Sequence, residues 1–380
     1  MPSFLSYLDA KPLYYKEIDH KRIHQAYNLL KPHIQSPKTI HLVGTNGKGS
    51  TGRSLAHLLQ QSGAAVMHYS SPHILRFNER IWMNGSDSSD AILEVAHQKL
   101  FALLGQDMSD ALSYFEYTTL LALVVGQNCD WIVLEAGLGG EYDATNVVAK
   151  ELSIITPIGY DHQAFLGDSI EAIATTKINS VDNDTLLAIG NTDEVKQIAQ
   201  KICTQKNATL YYTNNQYQSI IETFGFRGYL ADNIATAVTA LDILKVSYNL
   251  DALQSLELFG RFYKLAPNIT IDVGHNPLSA TQIAKTLGDK KVVLIYNTLE
   301  DKEYPKILDI LQHNIQSVEI IDIDTPRALK QEDLENYLDS MGIESQKFQK
   351  IEKHKEYLVY GSFYTVESFL NLTHQHYKLF

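Results

Sequence analysis

One short segment carries the residues best suited to hold an anion. The segment His41–Thr51 reads HLVGTNGKGST and contains three glycines, one lysine and neighbouring hydroxyl side chains. The alternating, branched run Thr39–Val43 predicts a buried strand before the loop, and leucines at helical spacing predict a helix after it. A strand that enters a glycine loop and a helix that leaves it turn backbone N–H groups and the positive end of the helix dipole toward one point. We therefore expect a phosphate there, with Lys48 as its countercharge.

The spacing of this loop differs from the common phosphate-loop pattern. That pattern has four residues between its glycines and a hydroxyl directly after its lysine. Here two residues separate Gly44 and Gly47, and Gly49 stands between Lys48 and Ser50. An ordinary glycine turn is the alternative, but such a turn would gain nothing from the lysine or the hydroxyls. A nucleotide phosphate is the interpretation that uses all of these residues.

Polar side chains follow three further predicted strands at the points where those strands end. Ser71 lies in YSSPH, Glu135 ends the apolar run WIVLE, and Asp161 and His162 follow the run SIITP. A hydroxyl, a carboxylate and an imidazole near a nucleotide phosphate predict a Mg²⁺ site, because that ion shares its ligands with phosphate oxygens. The alternatives are a solvated carboxylate and a loop histidine that is hydrogen-bonded to a neighbour.

Short β-branched runs alternate with helical patterns along almost the whole chain. This alternation predicts an α/β fold with a mainly parallel sheet that is covered by helices on both faces, where ligands lie beyond the carboxyl ends of the strands. The predicted strands are Thr39–Val43, Ala64–Tyr69, Trp131–Glu135, Ser153–Pro157, Leu186–Ile189, Ile269–Val273, Val292–Tyr296, Val318–Ile323 and Tyr357–Tyr360.

The strands fall into two series, which predicts two domains. Turn residues near Gly260 and Pro267 mark the expected linker. We expect an N-terminal P-loop ATPase-like domain over residues 1–257 and a smaller C-terminal Rossmann-like α/β domain over residues 258–380.

The composition is ordinary for a globular protein and excludes several classes. The chain has 380 residues, of which 44% are hydrophobic, and a formal net charge of −12, which opposes general binding to nucleic-acid backbones. No apolar run approaches the roughly 20 residues of a membrane span, and the N-terminus lacks the pattern of a secretory signal. Cys129 and Cys203 are too few for a disulfide framework and suit the reducing cytoplasm. We take the chain as a cytoplasmic monomer with small-molecule substrates.

An ordered set of motifs extends over nearly the whole chain. Together they resemble the folylpolyglutamate synthase and dihydrofolate synthase family, within the larger group of Mur-type ATP-dependent amide ligases. The motifs that carry the resemblance are SFLSYLDA, GTNGKGST, SSPHILRFNERI, LSYFEYTTLLAL, LEAGLGGEYDATN, DHQAFLG, GRF, IDVGHNP, LEDKE, PRA and YGSFYTV. The resemblance implies a ligase in which ATP phosphorylates a folate-type carboxylate and the amine of L-glutamate displaces phosphate. The acceptor is dihydropteroate, a tetrahydrofolate tail, or both.

The resemblance also implies a role for individual residues, with ATP and Mg²⁺ bound between the domains. The implied nucleotide contacts are Gly44, Thr45, Asn46, Gly47, Lys48, Gly49, Ser50, Asn233, Arg261, Asp272 and His275. The implied metal ligands are Ser50, Ser71, Glu135, His162 and Lys177. Lys48, His162 and Lys177 are the residues expected to take part in catalysis. For Asn233, the alternative is a residue at a helix N-terminus or an exposed amide.

A pocket for a flat pterin is expected around two further segments and one aspartate. The aromatic faces in these segments suit a pterin ring, although Tyr and Phe are more often core residues. The implied substrate contacts are Asp19, Ser113, Tyr114, Phe115, Glu116, Tyr142, Asp143 and Ala144.

Lys177 falls where the family has a lysine that takes up CO₂ as a carbamate and binds a second metal. A carbamate requires a neutral amine, which burial favours. The chain continues with Ile178, Asn179 and Ser180 where the family usually has Ala-Gly-Ile. A plain cation near phosphate is therefore the alternative for Lys177.

Two further departures from the family pattern lie near the expected pocket. Glu141 replaces the arginine that is common after the glycine pair. His20 and Lys21 follow Asp19 where a leucine and a glycine are usual. These departures favour a substrate preference that differs from that of the family.

Two other functions use the same loop. A muramyl amino-acid ligase would have an additional N-terminal domain, whereas 38 residues precede Thr39 here. A nucleotide-binding regulatory protein that makes no amide would not require the C-terminal motifs or a folate pocket.

Overall fold

The computed structural model describes residues 2–12, 19 and 21–377. The chain forms two compact units, of which the first comprises Met1–Phe226 and Ala231–Leu256 and the second comprises Arg227–Leu230 and Glu257–Phe380. Among the helices in the described ranges, none is long and apolar enough to cross a membrane.

The first unit contains a sheet of eight strands within the described residues. Its order is β4-β3-β2-β5-β1-β6-β7-β8. Strand β3 is antiparallel to both of its neighbours, β2 and β4, and every other pair of neighbours is parallel. The strands are β1 Lys38–Val43, β2 Val66–Tyr69, β3 Ile81–Met83, β4 Ser86–Asp87, β5 Trp131–Glu135, β6 Leu152–Ile155, β7 Thr185–Leu187 and β8 Leu210–Tyr212.

The register of the central strands brings their carboxyl ends to one edge. Leu42 of β1 lies opposite Glu135 of β5 on one side and opposite Ile154 of β6 on the other. The glycine loop after β1 and the polar residue that ends β5 are therefore neighbours, as expected for ligand sites in parallel sheets.

Helices cover this sheet, and their buried residues supply most of the core of the first unit. Helix α5 is apolar around most of its circumference, and Tyr117–Val124 are all buried, as expected for a helix packed on several sides. The helices of this part are α1 Phe4–Asp9, α2 Arg22–Leu30, α3 Lys48–Gln61, α4 Asp90–Ala111, α5 Tyr114–Gly126, α6 Gln163–Leu166, α7 Ile170–Ile178, α8 Asp193–Gln205 and α9 Gln216–Glu222. Helix α10 Tyr229–Ile243 starts with residues of the second unit and belongs to the first unit from Ala231 onward. Short 3₁₀ helices are Lys31–His33, Phe77–Arg80, Ala144–Val147 and Leu250–Ser255.

The second unit has its own sheet and core. Six described strands are ordered β13-β12-β11-β14-β10-β9, and all neighbours are parallel except β9 with β10. The elements are β9 Tyr263–Ala266, β10 Ile269–Ile271, α11 Pro277–Leu287, β11 Val292–Tyr296, α12 Tyr304–Leu311, a 3₁₀ turn Gln312–Asn314, β12 Ile315–Ile320, α13 Gln331–Ser340, β13 Ser345–Lys347, β14 Tyr357–Tyr360 and α14 Phe363–Tyr377.

The predicted α/β class with mainly parallel sheets is confirmed, and the central strands lie where their apolar runs place them. The prediction over Val318–Ile323 is wrong at both ends, because the strand starts at Ile315 and stops at Ile320. Five short strands escaped prediction, because four are edge strands and the fifth, β3, is an inner strand of only 3 residues. They are β3, β4, β8, β9 and β13.

Candidate active site

The loop between β1 and α3 requires glycine at two positions. Gly44 has a φ of +151°, and a Cβ there would lie 2.0 Å from the hydroxyl oxygen of Thr156. Gly47 has a φ of +85°, and a Cβ there would lie 2.7 Å from the side-chain oxygen of Asn233. The backbone therefore passes closer to its neighbours than any side chain would permit.

The first half of the loop is bound to the segment after β6. The amides of Thr45 and Asn46 both donate to the carbonyl of Pro157, at 2.9 and 3.1 Å. The Thr45 hydroxyl donates to the Gly159 carbonyl at 3.0 Å and accepts from the Gly159 amide at 3.1 Å. The loop is thus held before any ligand binds, and the first-turn amides of α3 remain as donors without intrahelical acceptors.

Lys48 folds back over the loop. Its ammonium group donates to the carbonyls of Gly44 and Thr45 at 3.1 and 3.3 Å, and it lies 3.9 Å from a carboxylate oxygen of Glu135. The side chain is 13% exposed. One face of the amino group is therefore held by the protein while the side chain keeps access to a ligand.

Lys177, on α7, bonds to the same carbonyl. Its amino group donates to the Gly44 carbonyl at 3.0 Å, and the residue is buried. Burial first, and then the charge of Lys48, lower the pKa of Lys177 to about 7, although Asp161 and Asp143 oppose the shift. Two amino groups thus converge on one backbone oxygen.

Two of the expected metal ligands are adjacent. Glu135 is buried at the end of β5, and the Ser71 amide donates to its second carboxylate oxygen at 3.4 Å. His162 has a left-handed φ of 54° at the start of α6, and its ring lies 3.9 Å from Asp161. Over the described ranges, no group of three or more His, Cys, Asp and Glu side chains is arranged to hold a metal. The oxygen donors beside the phosphate loop fit a Mg²⁺ ion that takes further ligands from phosphate.

Asn233 lies one turn into α10 with its amide buried beside Gly47. Burial excludes the alternative of an exposed amide. Its side-chain nitrogen has no hydrogen-bond partner among the described residues, and neither does the hydroxyl of Thr51. Unpaired buried polar groups are costly, so this amide is suited to bind a ligand.

In the second unit, the Asp272 carboxylate organises the chain around it. It accepts from the Tyr229 hydroxyl at 2.5 Å, from the Phe262 amide at 2.8 Å and from the Gly274 amide at 2.7 Å. Burial raises the pKa of Asp272, and these hydrogen bonds oppose that shift. The role of Tyr229 leaves no recognisable pattern in the sequence.

Arg261 and His275 share an aromatic neighbour. The guanidinium carbon of Arg261 lies 5.2 Å from the centre of the Phe363 ring, and the His275 ring centre lies 6.4 Å from it. These two predicted nucleotide contacts therefore face the same part of the second unit.

The segment Ser113–Glu116 forms the N-terminal cap of α5. The Ser113 hydroxyl accepts from the Glu116 amide at 3.3 Å, and Glu116 accepts from the Ser113 amide at 2.7 Å. The same carboxylate oxygen accepts from the guanidinium of Arg22 at 2.7 and 3.1 Å. Sequence reasoning missed Arg22, because its partner lies 94 positions away.

The aromatic residues of this segment are half-buried. The Arg80 guanidinium lies 5.2 Å from the centre of the Tyr114 ring. Phe115 stacks with Tyr69 at a centroid distance of 5.9 Å. Arg80 lies in the quoted motif FNERI, but its type alone did not reveal this contact.

The remaining predicted substrate contacts differ in exposure. Tyr142 is 58% exposed, whereas Asp143 and Ala144 are buried. Asp19 is exposed and accepts from the Lys21 amide at 2.8 Å. His20 lies outside the described residues.

Comparison with known proteins gives a consistent result. The family model described as the Mur ligase middle domain matches residues 42–262. The dihydrofolate synthase/folylpolyglutamate synthase of Haemophilus influenzae is 30% identical, and the match covers 97% of this chain and 96% of that protein.

Solved structures extend the likeness to the whole fold. The folylpolyglutamate synthetase of Helicobacter pylori is 38% identical with a TM-score of 0.77, and 98% of each chain is covered. A bifunctional folylpolyglutamate synthase/dihydrofolate synthase from Yersinia pestis, complexed with AMPPNP and a Mn ion, is 26% identical with a TM-score of 0.84 and the same coverage.

Proposed function

Because the chain belongs to the dihydrofolate synthase/folylpolyglutamate synthase family and is an ATP-dependent ligase, we propose that its phosphate loop activates a folate-type carboxylate for amide formation with L-glutamate. The observation that carries this proposal is the convergence of Lys48 and Lys177 on the carbonyl of Gly44, beside Glu135. Two amino groups that share one neutral acceptor are suited to a polyanionic ligand.

The chemistry proceeds in two displacements. An oxygen of the folate-type carboxylate attacks the γ-phosphorus of ATP, and the bond to the β–γ bridging oxygen breaks to release ADP. The amine of glutamate then attacks the acyl carbon, loses a proton, and inorganic phosphate leaves. Lys48 binds phosphate oxygens during the first step, while the amides of the first turn of α3 orient them.

The cofactors are ATP and a divalent cation, and the family's structures contain such ligands. Ser71 and Glu135 would hold Mg²⁺, with Ser50 and His162 as the further ligands that we propose. The ion supplies neutralisation of charge on the transferring phosphoryl group when it is bound. The protein's own part is to keep Glu135 buried and close to Lys48.

We propose two forms for Lys177. A pKa near neutrality leaves a fraction of the amine uncharged, which permits uptake of CO₂ as a carbamate. The ammonium form would instead bind phosphate as a second cation. If short carboxylates restore the activity of a Lys177→Ala variant, the result supports the carbamate form. If the wild-type protein keeps full activity after CO₂ depletion, the result supports the ammonium form.

The pterin pocket remains a proposal based on exposure and contacts. The Tyr142 side chain is exposed, whereas the Arg80 guanidinium lies over the Tyr114 ring and Phe115 stacks on Tyr69, so a pterin would use the remaining surfaces of these two rings. The polar atoms of Ser113 and Glu116 already have protein partners, so any substrate contact there would be added to a cap. Asp19, Asp143 and Ala144 complete the proposed substrate contacts.

We also propose a role for each domain and a cellular compartment for the protein. Residues 1–257 would hold the phosphates of ATP, and residues 258–380 would contribute Arg261, Asp272 and His275 to the nucleotide. Two cysteines without a disulfide suit the cytoplasm.

The test is ADP release with dihydropteroate and tetrahydrofolate offered separately, each with and without L-glutamate. We expect release that requires both the pteroate-type acid and glutamate. ADP release that requires neither the pteroate-type acid nor glutamate would contradict the proposal and favour a nucleotide-binding regulatory protein. Release that requires a muramyl nucleotide-sugar would assign the chain to the other branch of the ligases.

A further inference from the structure

We propose that Thr145 and His41 are positioning residues: they form a buried relay that holds Asp143 and, through it, the glycine loop 137–140. The kinetic part of the inference rests on the proposed function, because it concerns the folate side of the same site. The structural part does not depend on the reaction.

Asp143 has both carboxylate oxygens occupied inside the protein. One oxygen accepts from the amides of Gly137 and Leu138, each at 2.9 Å. The other accepts from the amide of Thr145 at 2.9 Å and from its hydroxyl at 2.5 Å. Burial raises the pKa of Asp143, and these four hydrogen bonds oppose that shift, so we take the group as a carboxylate that accepts from all four donors.

The direction of the relay follows from proton counting. The Thr145 hydroxyl has one proton, which it donates to Asp143, so it must accept from the His41 ring nitrogen Nε2 at 2.7 Å. His41 is therefore the tautomer with its proton on Nε2. Its other nitrogen, Nδ1, is buried and has no hydrogen-bond partner among the described residues.

The surroundings of His41 keep it neutral. The ring is fully buried, and burial first, then the charge of Lys150, lower the pKa of His41 well below its usual value. His41 belongs to the central strand β1, three positions before Gly44. The relay thus joins the strand that enters the phosphate loop to the loop that follows β5.

The glycine loop is tightly packed between two groups of the proposed site. A Cβ on Gly137 would lie 2.6 Å from the Phe115 ring, and a Cβ on Gly140 would lie 2.3 Å from the Lys177 carbonyl oxygen. Asp143 bonds to Gly137 and Leu138, so a displacement there would be felt first by Phe115, on the proposed folate side of the site. Asp143 therefore holds the loop in addition to the direct substrate contact proposed above.

The kinetic test compares two substitutions at one position. Thr145→Val removes the hydroxyl at nearly constant volume, and Thr145→Ser keeps it. We expect Thr145→Val to raise the KM for the pteroate-type acid about tenfold, the effect of losing a hydrogen bond to a charged group, while the KM for ATP changes less than about twofold. Thr145→Ser should retain most of the wild-type affinity. Equal damage in both variants would overturn the relay, as would a wild-type KM in Thr145→Val.

A matched control is Thr373→Val. Thr373 is equally buried, but its hydroxyl bonds to carbonyls of its own helix, at Phe369 and Leu370. This variant should leave both KM values unchanged. A tenfold increase in the KM for the pteroate-type acid in Thr373→Val would show that the loss of any buried threonine hydroxyl has this effect. That result would contradict a specific relay.

Two measurements need no activity. Backbone amide exchange of Gly137 and Leu138 should be slow in the wild type and faster in Thr145→Val, but not in Thr373→Val. Histidine ¹⁵N resonances of the wild-type protein should show His41 protonated on Nε2 at neutral pH, and protonation on Nδ1 would overturn the relay even if no variant folds. An inactive wild type with this tautomer and this exchange pattern would contradict the proposed function alone.

Discussion

Two lysines that bond to one carbonyl are the central feature of the site at the scale of residues. Lys48 and Lys177 lie 3.1 and 3.0 Å from the oxygen of Gly44, and Glu135 is the nearby carboxylate. Like charges this close repel each other, particularly where one of them is buried. We propose that the phosphates of ATP relieve this repulsion when they bind.

Replacement of Lys48 by alanine tests its part in the reaction. The side chain bonds to loop carbonyls rather than packing in a core, so we expect an unchanged melting temperature and a loss of about 10²- to 10³-fold in kcat. The control is Lys196→Ala, which removes an exposed lysine paired with Asp193. Steady-state ADP release and thermal unfolding check both variants. Near-normal turnover of Lys48→Ala would contradict the assignment of His41–Thr51 as a phosphate loop.

The lowered pKa of Lys177 predicts that the free energy of unfolding depends on pH. Its pKa is about 7 in the folded chain, while the unfolded chain keeps a value of about 10.4. The unfolded chain therefore binds more protons between these values. Stability consequently rises with pH in that window, and the full cost of burying Lys177 is present below pH 7.

Substitution of Lys177 by methionine should remove this cost. In CO₂-depleted buffer, we expect the variant to melt at least about 2 °C above the wild type at pH 7, with the difference shrinking toward pH 10. Lys206→Met is the control, because Lys206 is exposed and bonds to main-chain carbonyls. A difference between Lys177→Met and wild type that is constant with pH would contradict the lowered pKa.

At the scale of elements, the N-terminus of α5 combines a structural and a proposed binding role. Ser113 caps this helix with a bond of 3.3 Å, and Ser89 caps α4 with a bond of the same length. Ser113→Ala and Ser89→Ala should each lower the free energy of unfolding by about 1 kcal/mol. If Ser113 also contacts the substrate, Ser113→Ala alone should raise the KM for the pteroate-type acid. Denaturant unfolding and steady-state kinetics separate the effects, and an unchanged KM would leave Ser113 as a cap only.

The elements also show what sequence could and could not predict. The strand before the loop and the need for Gly44 and Gly47 were predictable, because burial and backbone geometry leave local patterns. The partners of Arg22 and His41 were not, since each lies about a hundred positions away in sequence. The family resemblance implied a substrate contact for Asp143, but only the folded chain revealed its four donors.

At the scale of the whole molecule, the net charge of −12 opposes the approach of anionic substrates. ATP, a pteroate-type acid and glutamate all carry negative charge. Attraction must therefore come from local groups such as Lys48 and Lys177, together with the amides at the start of α3.

The most direct measurement is the fate of the oxygen atoms of that carboxylate. A carboxylate oxygen is a poor leaving group, whereas an acyl phosphate leaves as phosphate and takes one carboxylate oxygen with it. With dihydropteroate labelled with ¹⁸O in its carboxylate, we predict about one ¹⁸O atom in inorganic phosphate for each amide formed. Amide formation with unlabelled phosphate would contradict activation of the folate-type carboxylate by ATP.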